Sequence, residues 1–249
     1  MRRILALTCA LLLAGCTATS RYARSRVPAG LTGERPPIDE SHRTEIDAAR
    51  VQLTRDYLAI HDPEALATLP AGESAAAIGF TPRMIVVHYT AIPTLEKTLA
   101  TFAPLEIDQG RDLVAANGRL NVGIQFVVDR DGAIYALYPE TAIARHVIGL
   151  NPVAIGIENV GDADLGDRAS GKTPVTEAQV RADAALIRYL ASAHPTIAFV
   201  IGHQEYRDVE NPRHPAHALF REAVAGYRTE KSDPGSRFLR ALRRELHPR

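Results

Sequence analysis

The 249 residues carry 29 basic and 29 acidic side chains, a formal net charge of zero, and 46% of them are hydrophobic. That balance gives no electrostatic basis for capturing nucleic acid or an anionic surface, so no nucleic-acid partner is expected. The length and hydrophobic share suffice for a sizeable core in one large domain, with or without an appendage.

The chain opens with Met1-Arg2-Arg3, then an apolar run from Ile4 to Leu13 that is too short to span a bilayer as a mature helix. Leu13-Ala14-Gly15-Cys16 follows at once. The pattern predicts a secretion signal over residues 1–15, and its last four residues resemble the lipobox of bacterial lipoproteins. The resemblance implies cleavage before Cys16, acylation of that thiol and attachment to a membrane through the lipid. Thr17 after the cysteine, where inner-membrane lipoproteins tend to carry Asp, implies the outer membrane with the protein facing the periplasm. An ordinary signal peptide with an incidental cysteine is the plainer alternative. Cys9 leaves with the signal, so the mature chain has no internal disulfide.

Residues 16–40, with "PAGLTGERPP" and no apolar periodicity, are expected to form a flexible lipidated tether. Residues 41–80 are expected to form a helical extension. In it Ile46, Ala49, Leu53, Tyr57 and Ile60 recur at three- and four-residue steps, which predicts an amphipathic helix docked on the main domain or, less plainly, on a partner.

The main domain is expected over 81–249. "RMIVVHY" (83–89) reads as a strand buried on both faces, and "NVGIQFVVDRDGAIYALY" (121–138) as two strands joined by a turn at Asp131-Gly132. "VAIGIENV" (153–160) and "IAFVIGH" (197–203) are two further strands. Between them Thr176 and Gln179 form a capping-box pattern opening a helix whose stripe is Val180, Ala184, Ile187 and Ala191. The alternation predicts an α/β fold, a mixed central sheet flanked by helices on both faces.

His88 and His203 both fall at carboxyl ends of strands, where open α/β sheets place their ligand crevice. Each alone reads as a capped core or surface histidine. If the strands are parallel neighbours the two imidazoles meet, and two His with one carboxylate form a recurrent catalytic zinc set that leaves a position for water.

"IVVHYTA", "VVDRDGAIY", "IGIENVG", "IGHQEY" and "KSDPG", in that order across residues 83–242, resemble the zinc-dependent N-acetylmuramoyl-L-alanine amidases of the type 2 fold shared with phage amidases and peptidoglycan recognition proteins. The similarity is greatest to the bacterial lipoprotein and recycling branch. It implies zinc bound by His88, His203 and Asp233, Glu158 as general base, and Lys231 at the catalytic lysine position. The implied reaction is hydrolysis of the amide between the lactyl group of N-acetylmuramic acid and L-Ala of the stem peptide, in peptidoglycan or muropeptides. A peptidoglycan-binding lipoprotein on the same fold without catalysis is the other class the resemblance allows.

The sequence also departs from the pattern. The tyrosine that phage enzymes and recognition proteins carry in the "GIQF" strand is here Ile124, which favours the glutamate-dependent chemistry. His146 in "ARHVIG" takes the place of an aromatic-His pair and is expected to bind substrate, with a role behind the ligands or at the surface as the alternative. An insertion of 29 residues, 204–232, separates His203 from Asp233 and contains competing donors, Glu205, Asp208, His214 and His217. Within it Ala218, Phe220, Ala223 and Val224 suggest a helix, and the segment is expected to wall the substrate groove.

Overall fold

The structure, a computed structural model, describes residues 22–247 apart from Gln109 and Arg111. The expected signal peptide and Cys16 lie outside the described residues. No helix among the described residues is long and apolar enough to cross a membrane.

In chain order the elements are α1 (Ala48–His61), α2 (Pro63–Thr68), β1 (Met84–Tyr89), α3 (Leu95–Phe102), α4 (Asp112–Ala115), β2 (Phe126–Val128) and β3 (Ile134–Ala136). They continue with β4 (Ala154–Asn159), α5 (Glu177–Ala193), β5 (Phe199–Gly202), α6 (Tyr206–Val209) and α7 (Ser236–Leu246). The five strands form one mixed sheet in the order β3-β2-β4-β1-β5. All neighbours run parallel except the β2–β3 hairpin, which turns at Asp131-Gly132 as its sequence predicts.

Because successive strand residues face opposite sides, the sheet sorts its own side chains. Ile85, Val87, Ile155, Ile157 and Val200 face α5 and α7, where Val180, Ala184, Ile187, Phe238 and Leu242 close the larger core. Met84, Val86, Ala154 and Ile201 face the opposite layer, built from Val147, Leu150, Tyr206, Val209 and Tyr227. The Thr176 capping box is formed as expected. Helix α7 follows the "KSDPG" turn, and its exposed arginines alternate with the buried Phe238, Leu239, Ala241 and Leu242.

Three sequence expectations are corrected. From Tyr22 onward the segment expected as a free tether is packed against the domain. Val27 N–H donates to Ala198 O and Val200 N–H to Ser25 O, covering the outer edge of β5. Asp39 exchanges backbone bonds with Ile134 and Ala136 at the outer edge of β3. Unpaired strand edges present rows of donors and acceptors, and satisfying them outweighs the polar composition that argues for a tether. Second, the buried face of α1 is rotated from the expected stripe: Ala49 is exposed and Ile60 is 47% exposed, while Arg50, Thr54 and His61 are buried. Each of these polar groups has a partner inside, Arg50 donating to Tyr138 Oη and Thr54 to Arg50 O. Third, the helix expected around Ala218–Val224 is a single 3-10 turn, His217–Leu219, followed by irregular chain. Part of that chain's backbone bonds to its surroundings in place of a helical ladder: Ala223 N–H donates to His61 O and Arg221 N–H to Gly149 O.

Candidate active site

The register of the sheet assembles the site. His88 of β1 lies directly opposite Glu158 of β4, and Val87 opposite Gly202 of β5, so His203 follows at the level of His88. Three adjacent parallel strands therefore deliver Glu158, His88 and His203 in one row at their carboxyl ends. All three residues have the strand parity of Met84 and Val86, which places them on the face away from α5 and α7.

Asp233 completes the group from the loop before α7. His203 Nδ1 is 2.9 Å from His88 Nδ1 and 3.0 Å from Asp233 Oδ2, and His88 Nδ1 is 3.3 Å from that same oxygen. Tetrahedral donors around a zinc ion at its usual bond lengths are separated by about 3.3 Å, so this near-equilateral triangle of two imidazole nitrogens and one carboxylate oxygen fits such an ion. All three residues are buried, and theirs is the one cluster of this kind among the described residues.

The electrostatics suit the same purpose. Burial, then the neighbouring His203, pushes His88 down to about 4, so it presents a neutral ring near neutral pH. Burial alone would raise Asp233, but hydrogen bonding to His203 and His88 and their charge hold its carboxyl well below the usual range. A neutral His88 ring and an ionised Asp233 carboxylate are in the donor states a divalent cation requires.

Two glycines make the close approaches possible. A Cβ on Gly202 would stand 2.6 Å from Leu239 Cδ1 and 2.9 Å from Pro234 Cδ, so its absence lets the turn carrying Asp233 lie against the end of β5. Gln204 N–H then donates to Asp233 O at 2.8 Å. Gly235 has φ +95°, and a Cβ there would collide with Asp164, whose carboxylate accepts from the Arg237 and Phe238 N–H groups at the start of α7. The turn is thus pinned on both sides of Asp233.

Glu158, Lys231 and His146 line the same cleft of about 330 Å³ as His88, His203 and Asp233. His146 is engaged inward: its Nδ1 is 3.1 Å from His88 Nε2 and its Nε2 is 3.3 Å from Ala154 O. His146 thus lines the cleft, where it was expected to bind substrate, while both its ring nitrogens contact protein groups, one of them His88. Ile124 is buried in the core beside it and contributes no hydroxyl.

The competing donors of the insertion go elsewhere. Glu205 pairs with Arg243, His214 accepts from Ala216 N–H, and His217 lies against Val209 O. The insertion does line the cleft, through Glu230, Lys231 and Ser232. Sequence reasoning missed Asn159, whose amide donates to His88 O and to Asp183. It also missed the packing reason for Gly156 and Gly202, although a glycine inside a strand is a signal for close approach.

Comparison with known proteins places this geometry in context. Residues 79–236 match the family described as N-acetylmuramoyl-L-alanine amidase. Among solved structures, the chain is similar to the N-acetylmuramoyl-L-alanine amidase LysC from Clostridium intestinale URNW, at 23% identity over 74% of this chain and 95% of that one, with a TM-score of 0.42. It is similar to a selenomethionine derivative of AmpD, at 20% identity over 83% and 99% of the two chains, with a TM-score of 0.43. It is also similar to AmpDh3 from Pseudomonas aeruginosa in complex with anhydromuramic pentapeptide, at 20% identity over 63% and 56%, with a TM-score of 0.38. A search of curated proteins finds no match.

Proposed function

Since the chain belongs to the N-acetylmuramoyl-L-alanine amidase family, we propose that it is a zinc-dependent hydrolase of the amide between the lactyl group of N-acetylmuramic acid and L-Ala of the stem peptide, acting on peptidoglycan or muropeptides. The observation that carries this reading is the row of Glu158, His88 and His203 closed by Asp233. His88 Nδ1, His203 Nδ1 and Asp233 Oδ2 would hold the ion, which when bound supplies Lewis acidity to the attacking water.

The chain's own residues do the rest. Glu158, level with His88 and facing the cleft, takes the proton from the attacking water and returns it to the departing nitrogen of L-Ala. Lys231 lines the same cleft and places its ammonium toward the oxygen that gains charge as the carbonyl is attacked. The Asp233 carboxylate compensates part of the charge that its neutral imidazole neighbours cannot.

The test is incubation of the purified protein with muropeptides, with and without chelator, followed by mass spectrometry. Chelator-sensitive release of free stem peptide is expected. No release together with retained binding to sacculi would identify the non-catalytic binder instead.

The same proposal places the protein on the periplasmic face of the outer membrane, anchored through acylated Cys16. The lipobox sequence supports this, and Cys16→Ser should release the protein from the membrane fraction.

A further inference from the structure

His146 takes no part in the proton transfers above, yet its surroundings are built around it. Its backbone N–H donates to Asn151 Oδ1 at 2.9 Å, and that oxygen also accepts from Val147 N–H at 2.8 Å. Its ring lies over Gly156, where a Cβ would stand 2.9 Å from Nδ1 and 3.0 Å from Cε1. Gly156 is itself held by Gln125 Oε1, which accepts its N–H at 2.7 Å. The space that Gly156 leaves in β4, two residues before Glu158 and on the same face, is filled by this imidazole together with Ile124, whose Cδ1 would stand 2.1 Å from that Cβ.

The polarity of the hydrogen bonds follows from the one partner that cannot donate. The Ala154 carbonyl only accepts, so the proton of a neutral His146 ring sits on Nε2, and Nδ1 offers a lone pair. His88 Nε2, 3.1 Å away, must then donate to it. A neutral His88 with its proton on Nε2 has a lone pair on Nδ1, the atom facing His203 and Asp233.

We propose that His146 is a positioning residue that holds His88 in its Nε2–H tautomer, keeping the Nδ1 lone pair aimed into the donor triangle with Asp233 and His203. The inference rests on the reading of that triangle as a metal site. Partners of this kind fix the orientation and tautomer of ligating histidines and raise their basicity.

The experiment compares His146→Leu, which fills the same space without hydrogen bonding, with His146→Gln, whose amide can accept from His88 and donate to Ala154. Zinc affinity is measured by competition with a chromophoric chelator on the full chain in detergent. Circular dichroism confirms that each variant is folded. His146→Leu is expected to weaken zinc binding about 10- to 100-fold, and His146→Gln to recover most of it. Long-range proton–nitrogen spectra of the zinc-free protein should show the His88 proton on Nε2 in the parent and a mixture of tautomers in His146→Leu. With muropeptide as substrate, kcat should fall while KM stays near the parent value.

Unchanged zinc affinity in His146→Leu with a raised KM would overturn the proposal and make His146 a substrate contact. Equal losses in Leu and Gln would also overturn it, because shape would then matter and the acceptor would not. Zinc affinity and tautomer are read without turnover, so this series is decided even if the protein cleaves no muropeptide.

Discussion

His203 and Asp233 meet with Nδ1 and Oδ2 3.0 Å apart, although 29 residues lie between them. Loop length costs little once the ends are held, because closure entropy grows only logarithmically. The ends are held by Gln204 N–H on Asp233 O and by the packing of Pro234 over Gly202. Just inside the two ends, Tyr206 Oη accepts from Thr229 N–H at 2.7 Å and donates to Thr229 O at 2.6 Å, drawing the base of the insertion together.

Gly202→Ala should therefore damage the proposed metal site without altering His88, His203 or Asp233. The added methyl meets Leu239 and Pro234 inside 3 Å, and overpacking of this kind costs about 1–3 kcal/mol. The expected result is a lower urea midpoint and at least tenfold weaker zinc binding, read by chelator competition. Asp233→Asn should match the loss of zinc, because an amide of the same size removes the charge. Parent-like zinc binding in both variants would mean that the third ligand lies elsewhere.

Glu158→Gln separates proton transfer from metal binding. The amide keeps the shape of the side chain in the cleft but cannot take a proton from water. Turnover should fall about 10²- to 10⁴-fold while zinc affinity stays at the parent value. Full activity would remove the assigned role of this residue.

Much of this was legible in the sequence. β1 shows a run of β-branched residues and β4 carries Ile155 and Ile157 on one face, and the capping box of α5 is stated outright by Thr176 and Gln179. The pairing of β1 with both β4 and β5, which turns three separate motifs into one row, is a property of the sheet and not of any one segment. The α1 face was misread because apolar periodicity ignores polar side chains that find partners inside, as Arg50, Thr54 and His61 do. The packed segment from Tyr22 was hidden for a related reason, since edge pairing is made through backbone groups that composition does not report. The expected role of His146 came from its motif alone, whereas its contacts depend on the missing side chain of Gly156.

The pH dependence of stability in chelated protein should carry opposing slopes. His88 is pushed down to about 4 by burial and by His203, so from about 6.5 down to 4 the unfolded state binds the extra proton and stability falls as pH falls. Asp183, buried on α5 with a hydrogen bond from Asn159, is pushed up to about 8 by burial. There the folded state holds the proton, so its contribution is full below about 4 and is lost as pH rises to 8. The two effects oppose below about 6.5, and only that of Asp183 continues to 8. Urea unfolding at pH 6.5, 7.25 and 8 should show stability falling by up to about 1.4 kcal/mol per pH unit, and Asp183→Asn should flatten the fall. A parent curve already flat across that range would show that Asp183 is ionised in the fold.

The N-terminal extension and the insertion are joined by His61 and Glu222. His61 Nδ1 is 2.9 Å from the Glu222 carboxylate and its Nε2 is 2.8 Å from Asn117 O, with both side chains almost wholly buried. Tyr57 stacks on the same ring at 4.2 Å, and its hydroxyl accepts from Asn151, whose carboxamide oxygen holds the backbone of His146. Removing one member of a buried pair leaves the other without its partner, at about 3–5 kcal/mol. Glu222→Ala and His61→Ala should each cost that much in urea unfolding. The double variant should cost clearly less than the sum, since the second change removes the group that the first left stranded. Strict additivity would show that the pair is not coupled. The single variants should also weaken zinc binding modestly, because loosening α1 frees Asn151 and with it the backbone that places His146 against His88.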